Sequence, residues 1–174
     1  MMMNVKLGFM PLLCLVVTIG CGKQDSNHEA KVVSEPTGKQ FLLTSEPDNT
    51  IPVGAARLNA KDGDAVALLG HVGGTTEPFV SGLAAFTIVD PKVAYCPPEC
   101  GCPTPWDYCC AENEVKENIA TVKIVDEKGK LVAEAAKPLL GVKELSLVVV
   151  QGTAKRDEQG NLSVLAEKVF VKKL

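Results

Sequence analysis

The chain has 174 residues, of which 46% are hydrophobic and 22% charged, the balance of one globular domain able to bury a core and not of a disordered chain. Its net charge is −3 with no basic block, which excludes the clustered Lys/Arg face of a dedicated nucleic-acid binder. Two histidines and 5% aromatic residues leave little for histidine-based acid–base or metal chemistry, and no segment recurs with the period of a repeat protein.

At the N-terminus, Lys6 precedes an almost unbroken apolar run from Leu7 to Gly20 that contains Pro11. The run has the length of a signal-peptide core and is short for a bilayer span, which takes about 20 apolar residues. It stops at Thr18-Ile19-Gly20-Cys21 and turns polar at Gly22-Lys23-Gln24-Asp25. This junction resembles the signal of bacterial lipoproteins, in which a small residue precedes a cysteine that is acylated and becomes the N-terminus after cleavage. Thr18 stands where that family usually has Leu. The resemblance implies a signal peptide over residues 1–20, loss of Cys14 with it, and a lipid anchor on Cys21 in the cell envelope. Gly22 in place of Asp implies sorting to the outer membrane in a Gram-negative cell. Several acyl chains, at roughly 0.8 kcal/mol per buried CH₂, hold a soluble domain at a membrane. Residues 21–40 are polar apart from Val32-Val33 and read as a flexible tether, with His28 solvated in it.

Residues 41–174 read as one domain. Phe41-Leu42-Leu43 is a short apolar run before the turn formers Glu46-Pro47-Asp48-Asn49. Pro52 to Lys61 predicts a short helix with proline at its start. Ala65 to Gly70 predicts a strand, and the glycines of Gly70-His71-Val72-Gly73-Gly74 mark a sharp bend or the close approach of another backbone. A second strand spans Leu83 to Val89 and extends toward Tyr95. After the segment described below, Ala120 to Val125 alternates as a strand, Asp126-Glu127-Lys128-Gly129 is a hairpin turn, and Lys130-Leu131-Val132 returns. Ala133 to Leu140 carries helix formers interrupted by Pro138. Leu145 to Val150 predicts a strand, and Asp157 to Asn161 turns it into the last strand, Leu162 to Lys172. The apolar alternation of that strand slips by one between Ala166 and Val169, which predicts a β-bulge.

Five strands with a short helix between the third and fourth is the order of the oligonucleotide/oligosaccharide-binding (OB) fold, a small five-stranded Greek-key barrel in a mainly β protein. The closing hairpin, Val148 to Gly152 and Leu162 to Val171, resembles that of small barrels in bacterial envelope lipoproteins. That resemblance concerns fold and leaves function to particular sites.

Between the second and third strands lies Cys96-Pro-Pro-Glu-Cys100-Gly-Cys102-Pro-Thr-Pro-Trp106-Asp-Tyr108-Cys109-Cys110, with five of the seven cysteines and the only tryptophan. Its prolines oppose long helix and sheet ladders, so something else must order it. Disulfides are the first reading, because an envelope location favours them and each contributes about 2–4 kcal/mol. Five thiols leave one unpaired, and sequence does not fix the pairing. Metal binding is the second reading. The spacing departs from that of zinc ribbons, yet a Cys-x-Cys and a Cys-Cys pair gather soft thiolates suited to Cu(I) or Zn(II), with His71, Glu99 and Asp107 as possible supplements. Thiol–disulfide exchange is the third, without a C-x-x-C pair or a visible helix start to support it.

Trp106 and Tyr108 are expected to dock the segment on the barrel and are its recognition candidates. Nucleic-acid binding would rest on Phe86, Tyr95, Lys92 and Lys123 in acidic surroundings and is disfavoured. The chain lacks G-x-S-x-G and H-E-x-x-H, and Glu112/Glu114 beside Lys116 read as solvated turn residues, so a non-catalytic role is expected. The sequence reading is a lipid-anchored envelope protein that binds or scaffolds an envelope partner or ligand at the membrane surface through a disulfide-stapled loop. The alternative is a thiolate-based protein that binds or handles copper or zinc.

Overall fold

The computed structural model describes residues 36–173; the expected signal peptide, Cys21 and most of the expected tether lie outside them. The described elements are β1 (Ile51–Pro52), α1 (Val53–Asn59), β2 (Ala65–Val72), β3 (Ala85–Val89), α2 (Glu112–Glu117), β4 (Ile119–Ile124), α3 (Ala136–Leu140), β5 (Leu147–Arg156) and β6 (Leu162–Val171). Short 3₁₀ turns occupy Lys39–Phe41, Pro98–Cys100 and Pro105–Asp107. None of the described helices is long and apolar enough to cross a bilayer.

The sheet runs β2-β3-β4-β6-β5 and closes through a β2–β5 pairing, which makes a five-stranded barrel with β1 appended along β2. β4 and β6 pair parallel, and the other barrel pairs are antiparallel. With α3 between the third and fourth barrel strands, this is the OB-like Greek-key arrangement expected from the element order. The long segment containing Cys96–Cys110 lies between β3 and β4, the second and third barrel strands.

Alternation builds the core. Leu68 and Val72 of β2, Phe86 and Ile88 of β3, Val122 and Ile124 of β4, Val148 and Val150 of β5, and Val164 and Ala166 of β6 all point inward. Val53 and Ala56 of α1 join them, as do Ala136, Leu139 and Leu140 of α3. The slip in β6 is a bulge: Gln151 pairs with Lys168 and Gly152 with Ala166, leaving Glu167 unmatched. Gly152 is needed opposite it, because a Cβ there would overlap the Leu165 carbonyl.

Several boundaries differ from the sequence reading. The body begins inside the expected tether, where the Thr37 and Gly38 N–H groups donate to the Pro138 and Leu139 carbonyls. β3 stops at Val89 because the Asp90 carboxylate takes the N–H groups of Gly54 and Lys92, at 2.6 and 2.9 Å, and turns the chain out of the ladder. β5 continues to Arg156, whose guanidinium donates to the carbonyls of Ala56, Arg57 and Ala60 at the end of α1. The return after the Asp126 turn is a single bridge, Val125 to Leu131, and not a strand. Glu112 and Glu114 belong to α2, a helix absent from the sequence reading.

Candidate metal centre

The Cys-rich insertion folds back onto the barrel wall. Gly74 N–H donates to the Trp106 carbonyl at 2.8 Å, and Trp106 Nε1 donates to the Thr76 carbonyl at 3.0 Å. Gly73 permits this approach, since a Cβ there would lie 2.6 Å from the Trp106 oxygen and 3.0 Å from Tyr108 Cε2. Tyr108 is fully buried in a second small core with Val89, Val93 and Val115, flanked by Ala111 and Ile119. Its ring meets Tyr95 edge-on, and Tyr95 meets His71 edge-on. A positive φ of 58° at Tyr108 reverses the chain there. The ring turns under the insertion while Cys109 and Cys110 remain exposed. The 3₁₀ turns begin at Pro98 and Pro105, where the missing N–H costs no helical bond.

This folding gathers four of the five insertion thiols. The sulfurs of Cys96, Cys102, Cys109 and Cys110 all lie within 4.8 Å of one another. Cys109 Sγ is central: it is 3.4 Å from Cys96 Sγ, 3.4 Å from Cys102 Sγ and 3.9 Å from Cys110 Sγ. Cys96 is buried, Cys102 half-buried, and Cys109 and Cys110 exposed, and none of the described cysteines is in a disulfide. Four thiolates at about 2.3 Å from a tetrahedral ion are separated by about 3.8 Å. The Cys109 spacings bracket that edge length and exceed the roughly 2.05 Å of an S–S bond.

The thiols also shape one another electrostatically. The Cys110 backbone N–H, followed by the Cys109 thiol, holds Cys96 below the ordinary thiol value. Hydrogen bonding from Cys109, then Cys96, pushes Cys102 up to about 12. At Cys109 the Cys102 hydrogen bond favours ionisation, but Cys96, desolvation and Cys110 outweigh it and set the thiol at about 11. Four adjacent thiols cannot all ionise beside one another without a cation, and a bound dication removes that conflict. The surroundings are acidic, with Glu99, Asp107, Glu112, Glu114 and Glu117 against Lys116 alone between residues 96 and 118. Two open grooves flank Cys109, one of about 350 Å³ reaching Thr76, Asp107 and Lys116, the other of about 480 Å³ along Cys110, Asn113 and Glu114.

Cys100 is exposed and lies outside the four-sulfur group, as do His71, Glu99 and Asp107. Asp107 instead accepts from the Thr104 hydroxyl and the Cys109 N–H, bracing the turn that presents Cys109. His71 is on the outer face of β2, its Nδ1 buried without a partner among the described residues, and burial lowers its pKa. Trp106 is part of the docking contact, and Tyr108 is its buried support. Phe86 is sealed in the barrel core, so it offers no base-stacking surface.

Sequence reasoning missed the role of Thr76, whose carbonyl receives Trp106, and that of α2, which supplies Val115 beneath the insertion. The Gly73-Gly74 pair was the available signal for the first. The second had none beyond one apolar residue in an acidic stretch. The fold and cluster define a class: a small closed barrel with a cysteine-rich insertion packed on its wall. No protein-family model matches the chain, and no curated protein matches it.

Proposed function

We propose that this is a lipid-anchored, non-catalytic envelope protein whose insertion binds a soft d¹⁰ metal ion through Cys96, Cys102, Cys109 and Cys110. The observation that carries the metal reading is the mutual proximity of the four sulfurs, within 4.8 Å. Tetrahedral four-sulfur sites suit Zn(II) in particular, while Cu(I) takes thiolates in lower numbers from the same set. Cys96 is buried in irregular backbone at the start of the insertion, whereas Cys109 and Cys110 are exposed in a turn at its end, so a bound ion would link segments far apart along it. The acidic residues around the site favour a cation's approach.

The anchor reading rests on Gly20-Cys21 and the apolar run before it. The nucleic-acid reading stays disfavoured. The outer face of β3 and β4, the ligand face of OB barrels, is covered at Val89 and Ile119 by Tyr108.

Metal titration of the reduced full chain in detergent tests the proposal. Cd(II), a spectroscopic stand-in for Zn(II), should give a thiolate-to-metal absorption band saturating at one ion per chain. Cys109→Ser should abolish the tetrathiolate spectrum, whereas Cys100→Ser should leave it intact. Binding should tighten as pH rises, because the ion displaces protons from thiols set at about 11 and about 12. A chain that saturates with no thiolate band contradicts the proposal.

A further inference from the structure

The four sulfurs are not equivalent. Cys109 Sγ has two sulfur neighbours at 3.4 Å, from Cys96 and Cys102, and is itself exposed between two open grooves. Cys96, by contrast, is 2% exposed and closed to a bulky reagent. Cys110, at 3.9 Å, is the sequence neighbour of Cys109, and a bond between adjacent cysteines strains the backbone. An exposed sulfur therefore stands 3.4 Å from two others that are not its sequence neighbours, and all three belong to the proposed metal set.

We propose that Cys109 is a redox-modification site through which a disulfide oxidant expels the metal. This rests on the metal reading above and adds its regulation. Cys109 thiolate attacks one sulfur of the incoming disulfide, forming a mixed disulfide and releasing one thiolate. Cys96 or Cys102 thiolate then attacks the Cys109 sulfur, forming the intramolecular bond and releasing the second thiolate. The oxidant gains two electrons and becomes two thiolates, while the protein loses two electrons and gains one S–S bond. Two of the four ligands are consumed, and the remaining pair cannot hold a dication in tetrahedral sulfur coordination. Reduction restores the four thiolates and the binding of metal. The disulfide-stapled and metal-bound forms of the insertion are thus two states of one site.

Oxidised glutathione is the probe, added to the Zn(II)-loaded full chain with released metal followed by a chromogenic chelator and disulfides mapped by peptide mass spectrometry. The expected result is one Zn(II) released per new disulfide, that disulfide joining Cys109 to Cys96 or Cys102, with rebinding after reduction. Cys100→Ser should behave as the wild type. Loss of release in Cys100→Ser, or a disulfide joining Cys100 to a metal ligand, overturns the proposal by making Cys100 the acting thiol. Zinc that stays bound while glutathione accumulates on Cys100 overturns the switch and leaves the metal reading standing. A reduced chain that takes up no Zn(II) overturns the metal reading and the switch together.

Discussion

Tyr108 sits at φ 58° and buries its hydroxyl with no hydrogen-bond partner among the described residues. Burial, then the neighbouring Tyr95, pushes that hydroxyl up to about 12, so it is neutral at every physiological pH. A left-handed backbone at a bulky residue costs on the order of 1–3 kcal/mol, and a buried unpaired hydroxyl costs about 1–3 kcal/mol more. The site retains the residue because its ring fills the small core beneath the insertion. Tyr108→Phe keeps that ring and removes the unpaired oxygen, so it should leave stability unchanged or raise it by up to about 1–3 kcal/mol. Chemical denaturation followed by circular dichroism reads this directly. A marked loss of stability would show that the hydroxyl is hydrogen-bonded and not orphaned.

At the scale of elements, the docking of the insertion depends on the bend after β2. Trp106 is the only tryptophan in the chain, so its fluorescence reports that docking alone. Gly73→Ala drives a methyl against the Trp106 carbonyl and the Tyr108 ring. It should cost about 1–3 kcal/mol by overpacking and red-shift Trp106 emission, while the far-ultraviolet spectrum of the barrel persists. An unshifted emission maximum would mean that the bend tolerates the methyl and the contact is looser than described.

The barrel was legible because its strands carry their own signals. The inward set Leu162, Val164, Ala166, Val169 contains both the strand and its bulge. α2 was not legible, since six residues with one apolar position, Val115, are too few to show a helical period. Cluster membership was half-legible. Spacing shows that thiols gather, but a 3₁₀ turn at Pro98–Cys100 and a left-handed Gly101 at φ 64° decide that Cys102 joins the group and Cys100 does not.

For the whole molecule, the barrel provides a wall and the insertion provides the chemistry. Among the described residues, the barrel's inward positions are filled by aliphatic side chains and Phe86, as in small barrels whose interior is just wide enough for side chains. Four clustered thiols and the carboxylates of Asp107, Glu112 and Glu114 meet in one place on its outer face. On the proposed metal reading, four particular thiols act together and the fifth does not. Residue-resolved alkylation of the reduced full chain, with and without Zn(II), tests it most directly. Metal is expected to protect Cys102, Cys109 and Cys110 together, with Cys96 shielded in both states, while Cys100 reacts at an unchanged rate. Protection that includes Cys100, or labelling of Cys102, Cys109 and Cys110 undiminished by metal, would overturn the four-thiol set.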